Sequence, residues 1–65
     1  MSPKDLHEAQ QELGFTHLQM ASRLGISLRS YYYRLSGDLP IKHLESQEVQ
    51  RELLARRYAL SRKRN

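Results

Sequence analysis

An all-α domain of four or five short helices is what this sequence predicts, and three kinds of observation carry that expectation. Apolar residues recur at three- and four-residue spacing, as on one face of a helix. Ser2, Thr16 and Ser27, residue types that cap helix starts, stand just ahead of such segments. Gly14, Gly25 and Gly37 stand just after them, where a helix ends on a left-handed residue.

The elements follow in order. Ser2 caps the first helix with Pro3 at its first position and Asp5 in its first turn. Leu6, Ala9 or Gln10, and Leu13 form its apolar face, Gly14 ends it, and Phe15 fills the seam to the next helix. Thr16 caps a second helix over about 17–24, and Gln19 three residues later completes a capping box. Met20 and Leu24 share one face, and the small Ala21 lets another helix approach closely. Gly25 makes the turn, Ile26 plugs the corner, and Ser27 caps a third helix over about 28–36. A turn this short sets the third helix across the second, the geometry that lets a helix enter a DNA groove.

Gly37-Asp38-Leu39-Pro40 is a break in which Asp38 can cap and Pro40 fits a first turn. Beyond it two patterns compete. Ile41 and Leu44 form a short apolar face, with Ser46 capping a fresh helix; alternatively one long helix spans about 40–60. Either way Val49, Leu53, Leu54 and Tyr58 make an apolar stripe. That stripe either completes a monomeric core or forms a dimer seam. The expectation adopted is a homodimer, because paired readers place two recognition helices about 34 Å apart on pseudo-palindromic DNA. Residues 1–46 then form the helix-turn-helix core, and 47–65 a C-terminal helix and basic tail of the same domain.

Composition narrows the function. A chain of 65 residues makes one domain, and a domain so small hides only about 60% of its unfolded surface. There is no cysteine, so disulfides and thiolate metal sites are excluded. No apolar run approaches the roughly 20 residues that span a bilayer, and the charged, glutamine-rich start lacks the apolar stretch of a signal peptide. A cytoplasmic protein without membrane contact is expected. The net charge of +4 is uneven. Residues 1–22 carry Lys4 against Asp5, Glu8 and Glu12, whereas 23–65 carry ten Lys or Arg against Asp38, Glu45, Glu48 and Glu52. Such a basic stretch is the footprint of a phosphate-binding partner, although Arg62-Lys63-Arg64 alone reads equally as a solvated tail. His7, His17 and His43 lack metal-ligand spacing and no glycine-rich phosphate loop occurs. No enzyme, metal, cofactor or small-molecule ligand is expected.

Met20, Ala21, Leu24, Gly25, Ile26, Ser27 and Tyr31, followed by Gly37 and Pro40, resemble the helix-turn-helix repressors of the Cro/CI and Xre type. The resemblance covers roughly residues 2 to 46. It implies a lambda-repressor-like fold and a promoter-occluding repressor, its own promoter included. Two departures from the pattern stand out. Many relatives begin the first motif helix with a phosphate-contacting glutamine where this chain has His17. Many also place an aromatic residue and then Glu late in the second helix, where this chain has Arg34 and Leu35. The Tyr-Tyr-Arg-Leu ending is similar to that of very small phage repressors, including those controlling anti-CRISPR operons.

Helical geometry nominates the DNA-facing residues. Successive residues turn by about 100°, so three consecutive tyrosines cannot all be buried. With Tyr31 and Leu35 facing the core, Ser27, Leu28, Arg29, Tyr32 and Tyr33 are the candidates for base readout in the major groove. Arg29 suits guanine O6/N7, and a tyrosine ring suits a thymine methyl; a plain phosphate contact by Arg29 is the alternative. Thr16 and His17 open a helix whose free N–H groups favour phosphate, and Arg34 and Lys42 are further phosphate candidates. Two other classes stay open: a protein-interaction module such as an antitoxin or adaptor, and an RNA binder using basic residues with stacked tyrosines.

Overall fold

The computed structural model describes residues 1–62 as four helices: α1 (Pro3–Leu13), α2 (His17–Leu24), α3 (Leu28–Ser36) and α4 (His43–Arg62). The described chain is all-α. Lys63 and Arg64 of the expected basic tail lie outside the described residues.

Local chemistry explains where the first three helices begin and stop. Ser2 Oγ accepts from the Asp5 N–H at 3.1 Å, and the Asp5 carboxylate accepts from the Ser2 N–H at 3.1 Å. Thr16 and Gln19 repeat this reciprocal box at the start of α2, at 3.2 and 2.8 Å. Each box satisfies two N–H groups that helix geometry leaves without partners. Ser27 Oγ accepts from the Ser30 N–H at 3.1 Å and caps α3. Between α2 and α3, Gly25 turns left-handed at φ 69°, a conformation in which a Cβ is strained. Its N–H donates to the Ala21 and Ser22 carbonyls, and the Ile26 N–H reaches the Ala21 carbonyl at 3.0 Å.

Leu6, Ala9 and Leu13 of α1, Met20 and Ala21 of α2, Tyr31 of α3 and Val49 of α4 form one core. Phe15, Leu24, Ile26, Leu35, Ile41 and Leu53 pack around it. Each of the large fully buried side chains contributes about 1.5–3 kcal/mol by leaving water, so losing any one is felt in so small a domain.

The C-terminal third departs from expectation in three ways. Asp38 does not cap a helix; its carboxylate accepts from the Ser36 hydroxyl, and Pro40 lies outside any helix. Helix α4 instead begins at His43, where the Glu45 carboxylate reaches back to the Lys42 N–H at 2.9 Å. Ser46 is therefore inside the first turn, its N–H bonded to the Lys42 carbonyl, and of the two competing patterns the single long helix is the one that forms. The apolar stripe is also divided. Val49, expected at a dimer seam, is buried in the core, and Leu53 is half-buried against it. Leu54 and Tyr58 are 65% and 66% exposed.

Helix α4 lies beside α1, where the Arg57 fork donates to both Glu12 carboxylate oxygens at 2.8 and 3.0 Å. That pairing holds the Glu12 carboxyl below its ordinary range. Arg23 of α2 sits over the Phe15 ring and 3.6 Å from Glu52, tying α2 to α4. No helix is long and apolar enough to cross a membrane among the described residues.

Candidate nucleic-acid interface

Helix α3 divides its side chains by angle. With Tyr31 directed into the core, Arg34 and Leu35 fall within about 60° of it, while Arg29, Tyr32 and Tyr33 fall on the far side. The structure follows this division: Tyr31 is fully buried, whereas Tyr32 and Tyr33 are 52% and 37% exposed and Arg29 is exposed. Burial pushes the Tyr31 hydroxyl pKa up to about 12, so it stays protonated and donates to Gln10 Oε1 at 2.7 Å.

On the outer face, Arg29 and Tyr33 act as a pair one turn apart. Arg29 Nε donates to the Tyr33 hydroxyl at 3.2 Å, and its guanidinium lies 5.8 Å from that ring's centre. The contact restrains two long side chains before any ligand arrives, which lowers the ordering cost of binding. Ser27 is exposed at the head of the helix, its hydroxyl donating to Ser30 Oγ at 3.0 Å, and Leu28 is half-buried beside it.

Helix α2 brings its N-terminus to the same region. His17, its first residue, lies against Tyr32 with ring centres 5.2 Å apart and planes tilted by 31°, and meets Tyr31 edge-on at 5.9 Å. Thr16 is exposed, and the His17 and Leu18 N–H groups have no carbonyl partner within the helix. Free N–H groups at a helix start form an anion site when a phosphate approaches. Lys42 is exposed at the start of α4, where its backbone N–H is held by Glu45.

Arg34 is a correction. Expected on phosphate, it is 6% exposed, with Nε donating to Glu45 at 2.7 Å and a second nitrogen donating to the Ser30 carbonyl at 3.2 Å. The physical reason is its angle: it lies on the Tyr31 side of α3, opposite the first turn of α4. Burial alone would raise the Glu45 pKa. The Arg34 hydrogen bond, the Lys42 N–H and the two nearby cations outweigh burial and hold that carboxyl below its ordinary value.

The charge pattern then resolves. Between Glu12 and Asp38 the sequence has no acidic residue, and its cations are Arg23, Arg29 and Arg34. Arg34 is neutralised by Glu45 and Arg23 is drawn toward Glu52. Arg29 is the one of the three without a carboxylate partner among the described residues. No family model, curated protein or solved structure matches the chain.

The roles of two residues of this region escape the sequence reading. Gln10 is buried between the Tyr31 hydroxyl and the His17 ring. Its signal is position alone, one residue past Ala9 on the apolar face of α1. Glu45 both caps α4 and neutralises Arg34. Its signal is a glutamate at the third position of a helix, half of a capping box.

Proposed function

We propose that this chain is a sequence-specific double-stranded DNA-binding transcriptional regulator, acting as a repressor that occludes a promoter, its own included. Helix α3 enters the major groove, and the N-terminus of α2 abuts the phosphate backbone. The observation that carries the reading is the outward set Arg29, Tyr32 and Tyr33 on a helix fixed behind the tight Gly25 turn. Arginine paired to guanine is the commonest specific contact in the major groove, and tyrosine offers both a phenol donor and a ring for a thymine methyl. Thr16, His17 and Lys42 supply phosphate contacts that fix register without reading sequence. One 65-residue module reading one half-site is weakly selective, so the working form is a homodimer on a pseudo-palindromic operator. The exposed Leu54 and Tyr58 supply its contact.

The test is fluorescence anisotropy with the duplex upstream of its own coding sequence, over a salt series, against a scrambled duplex. The expected result is selective binding that weakens steeply with salt and loses selectivity in Arg29→Ala. Equal weak binding to both duplexes defeats the reading. The same exposed Leu54 and Tyr58 favour a second reading, a protein-interaction module, which salt-insensitive partner binding without DNA affinity would support.

A further inference from the structure

The Gln10 carboxamide joins the core to the outer face through an unbroken set of contacts. Tyr31 Oη donates to Gln10 Oε1 at 2.7 Å, and Gln10 Nε2 lies 3.3 Å from His17 Nδ1. With Oε1 occupied as acceptor, the amide presents Nε2, a donor, to the histidine. A donor facing Nδ1 requires that nitrogen to be the unprotonated acceptor. In that arrangement Nδ1 accepts, and a ring with a single proton carries it on Nε2, remote from Gln10 and at the N-terminus of α2. The same ring lies against Tyr32, tilted by 31° with centres 5.2 Å apart, and is braced edge-on by Tyr31 at 5.9 Å. The ring plane of His17 thus sets one wall for the exposed Tyr32 ring.

We propose that Gln10, on a helix that carries none of the expected DNA contacts, is a positioning residue for the DNA-facing surface. It fixes the Nε2–H tautomer and ring plane of His17, and through that ring it fixes Tyr32. Gln10 touches no DNA itself. This inference rests on the DNA-binding reading above for its consequence, but its first link concerns the free protein. A structural partner of Tyr31 alone would be indifferent to the state of His17. A positioning residue is not.

Two readouts on the intact chain decide it. The first is the ring-nitrogen NMR spectrum of His17 in the wild type, Gln10→Glu and Gln10→Met. The wild type is expected to show protonated Nε2 and acceptor Nδ1. In Gln10→Glu the carboxylate accepts from both neighbours, so the proton moves to Nδ1; in Gln10→Met the preference for one tautomer relaxes. Unchanged ring signals in both variants overturn the proposal, and Gln10→Glu, which keeps the side chain's size and the acceptor for Tyr31, supplies a second arm should Gln10→Met fail to fold.

The second readout is a double-mutant cycle on duplex affinity. Gln10→Met is expected to weaken operator binding about tenfold in the intact chain, the scale of one hydrogen bond. In the His17→Ala background the same change should alter affinity less than about twofold, since interacting residues are non-additive. Equal losses in both backgrounds would mean that Gln10 acts through the fold alone, and the proposal fails. A wild type without selective duplex binding defeats the DNA reading instead, and the ring spectra still decide whether Gln10 holds His17.

Discussion

The inner and outer faces of α3 carry the same two residue types, arginine and tyrosine, in opposite circumstances. Arg34 and Tyr31 are buried and each is bound to one partner across the core, Glu45 and Gln10. Arg29 and Tyr33 are bound to each other in solvent. Chemistry that reads as DNA-binding on one face therefore serves the fold on the other. The difference teaches that angle about the helix, with residue type second, assigns the role. It also separates mutations that unfold the domain from mutations that silence its surface.

The largest effect should come from breaking the inner face. Arg34→Ala leaves Glu45 buried without its cation, a change that costs about 3–5 kcal/mol. A domain of this length holds only about 3–10 kcal/mol of stability in total, so the variant should lose a third or more of it, read as a large fall in the urea midpoint followed by circular dichroism. Replacing both partners, Arg34→Met with Glu45→Leu, should restore folding to within about 1 kcal/mol of the wild type. The double variant should also keep wild-type operator affinity. A folded double variant that has lost salt-dependent binding would move Arg34 back to the DNA surface.

The same pair sets an acid response. Glu45 titrates lower in the folded chain than its unfolded value of 4.5. Its contribution is therefore fully present above pH 4.5 and lost as pH falls through the lower folded value. Asp5, held low by the Ser2 N–H and hydroxyl, and Glu12, held low by Arg57, act in the same direction but lie in solvent. Acid titrations should thus show the double variant losing less stability than the wild type between about pH 5 and 3, without becoming flat.

Tyrosine sharpens the contrast at smaller cost. Tyr31→Phe strands the Gln10 carbonyl oxygen and should cost about 1–3 kcal/mol, whereas Tyr33→Phe should stay within about 0.5 kcal/mol. Equal melting shifts for the two would dissolve the distinction between faces. Arg29→Ala should likewise leave the melt within about 0.5 kcal/mol. Its operator selectivity should nevertheless fall by about 1–3 kcal/mol, read as the affinity ratio between specific and scrambled duplex.

The first three helices were legible because their signals are local. Ser2, Thr16 and Ser27 announce starts, Gly14, Gly25 and Gly37 announce stops, and the bounds 17–24 and 28–36 stand as expected. Tyr31 was legible as core and Tyr32 and Tyr33 as outward by angle alone. The residues misjudged or missed share a different property: their roles depend on contacts between helices. Arg34 needs Glu45 eleven residues away, and Gln10 needs Tyr31 twenty-one residues away. Nothing periodic encodes either pairing. The start of α4 was obscured because Asp38 and Ser46, both good caps, flank a start made instead by Glu45.

Helix α4 offers the last and smallest perturbation, and it concerns assembly. Val49 belongs to the core and Leu53 packs against it, whereas Leu54 and Tyr58 lie largely in solvent on the same helix. Val49→Ala should therefore cost about 0.5–3 kcal/mol in the melt, whereas Leu54→Ser with Tyr58→Ser should move it by about 0.5 kcal/mol or less for the monomer. If a second copy covers the outer residues, the paired serine variant should raise the dimer dissociation constant measured by sedimentation equilibrium. It should also cut affinity for a two-half-site operator while leaving single half-site affinity unchanged, since only the linked event is lost. A wild type that sediments as a monomer with and without operator removes the self-association role from Leu54 and Tyr58. That outcome would leave α3 reading one half-site alone, with the outer face of α4 open to a different protein.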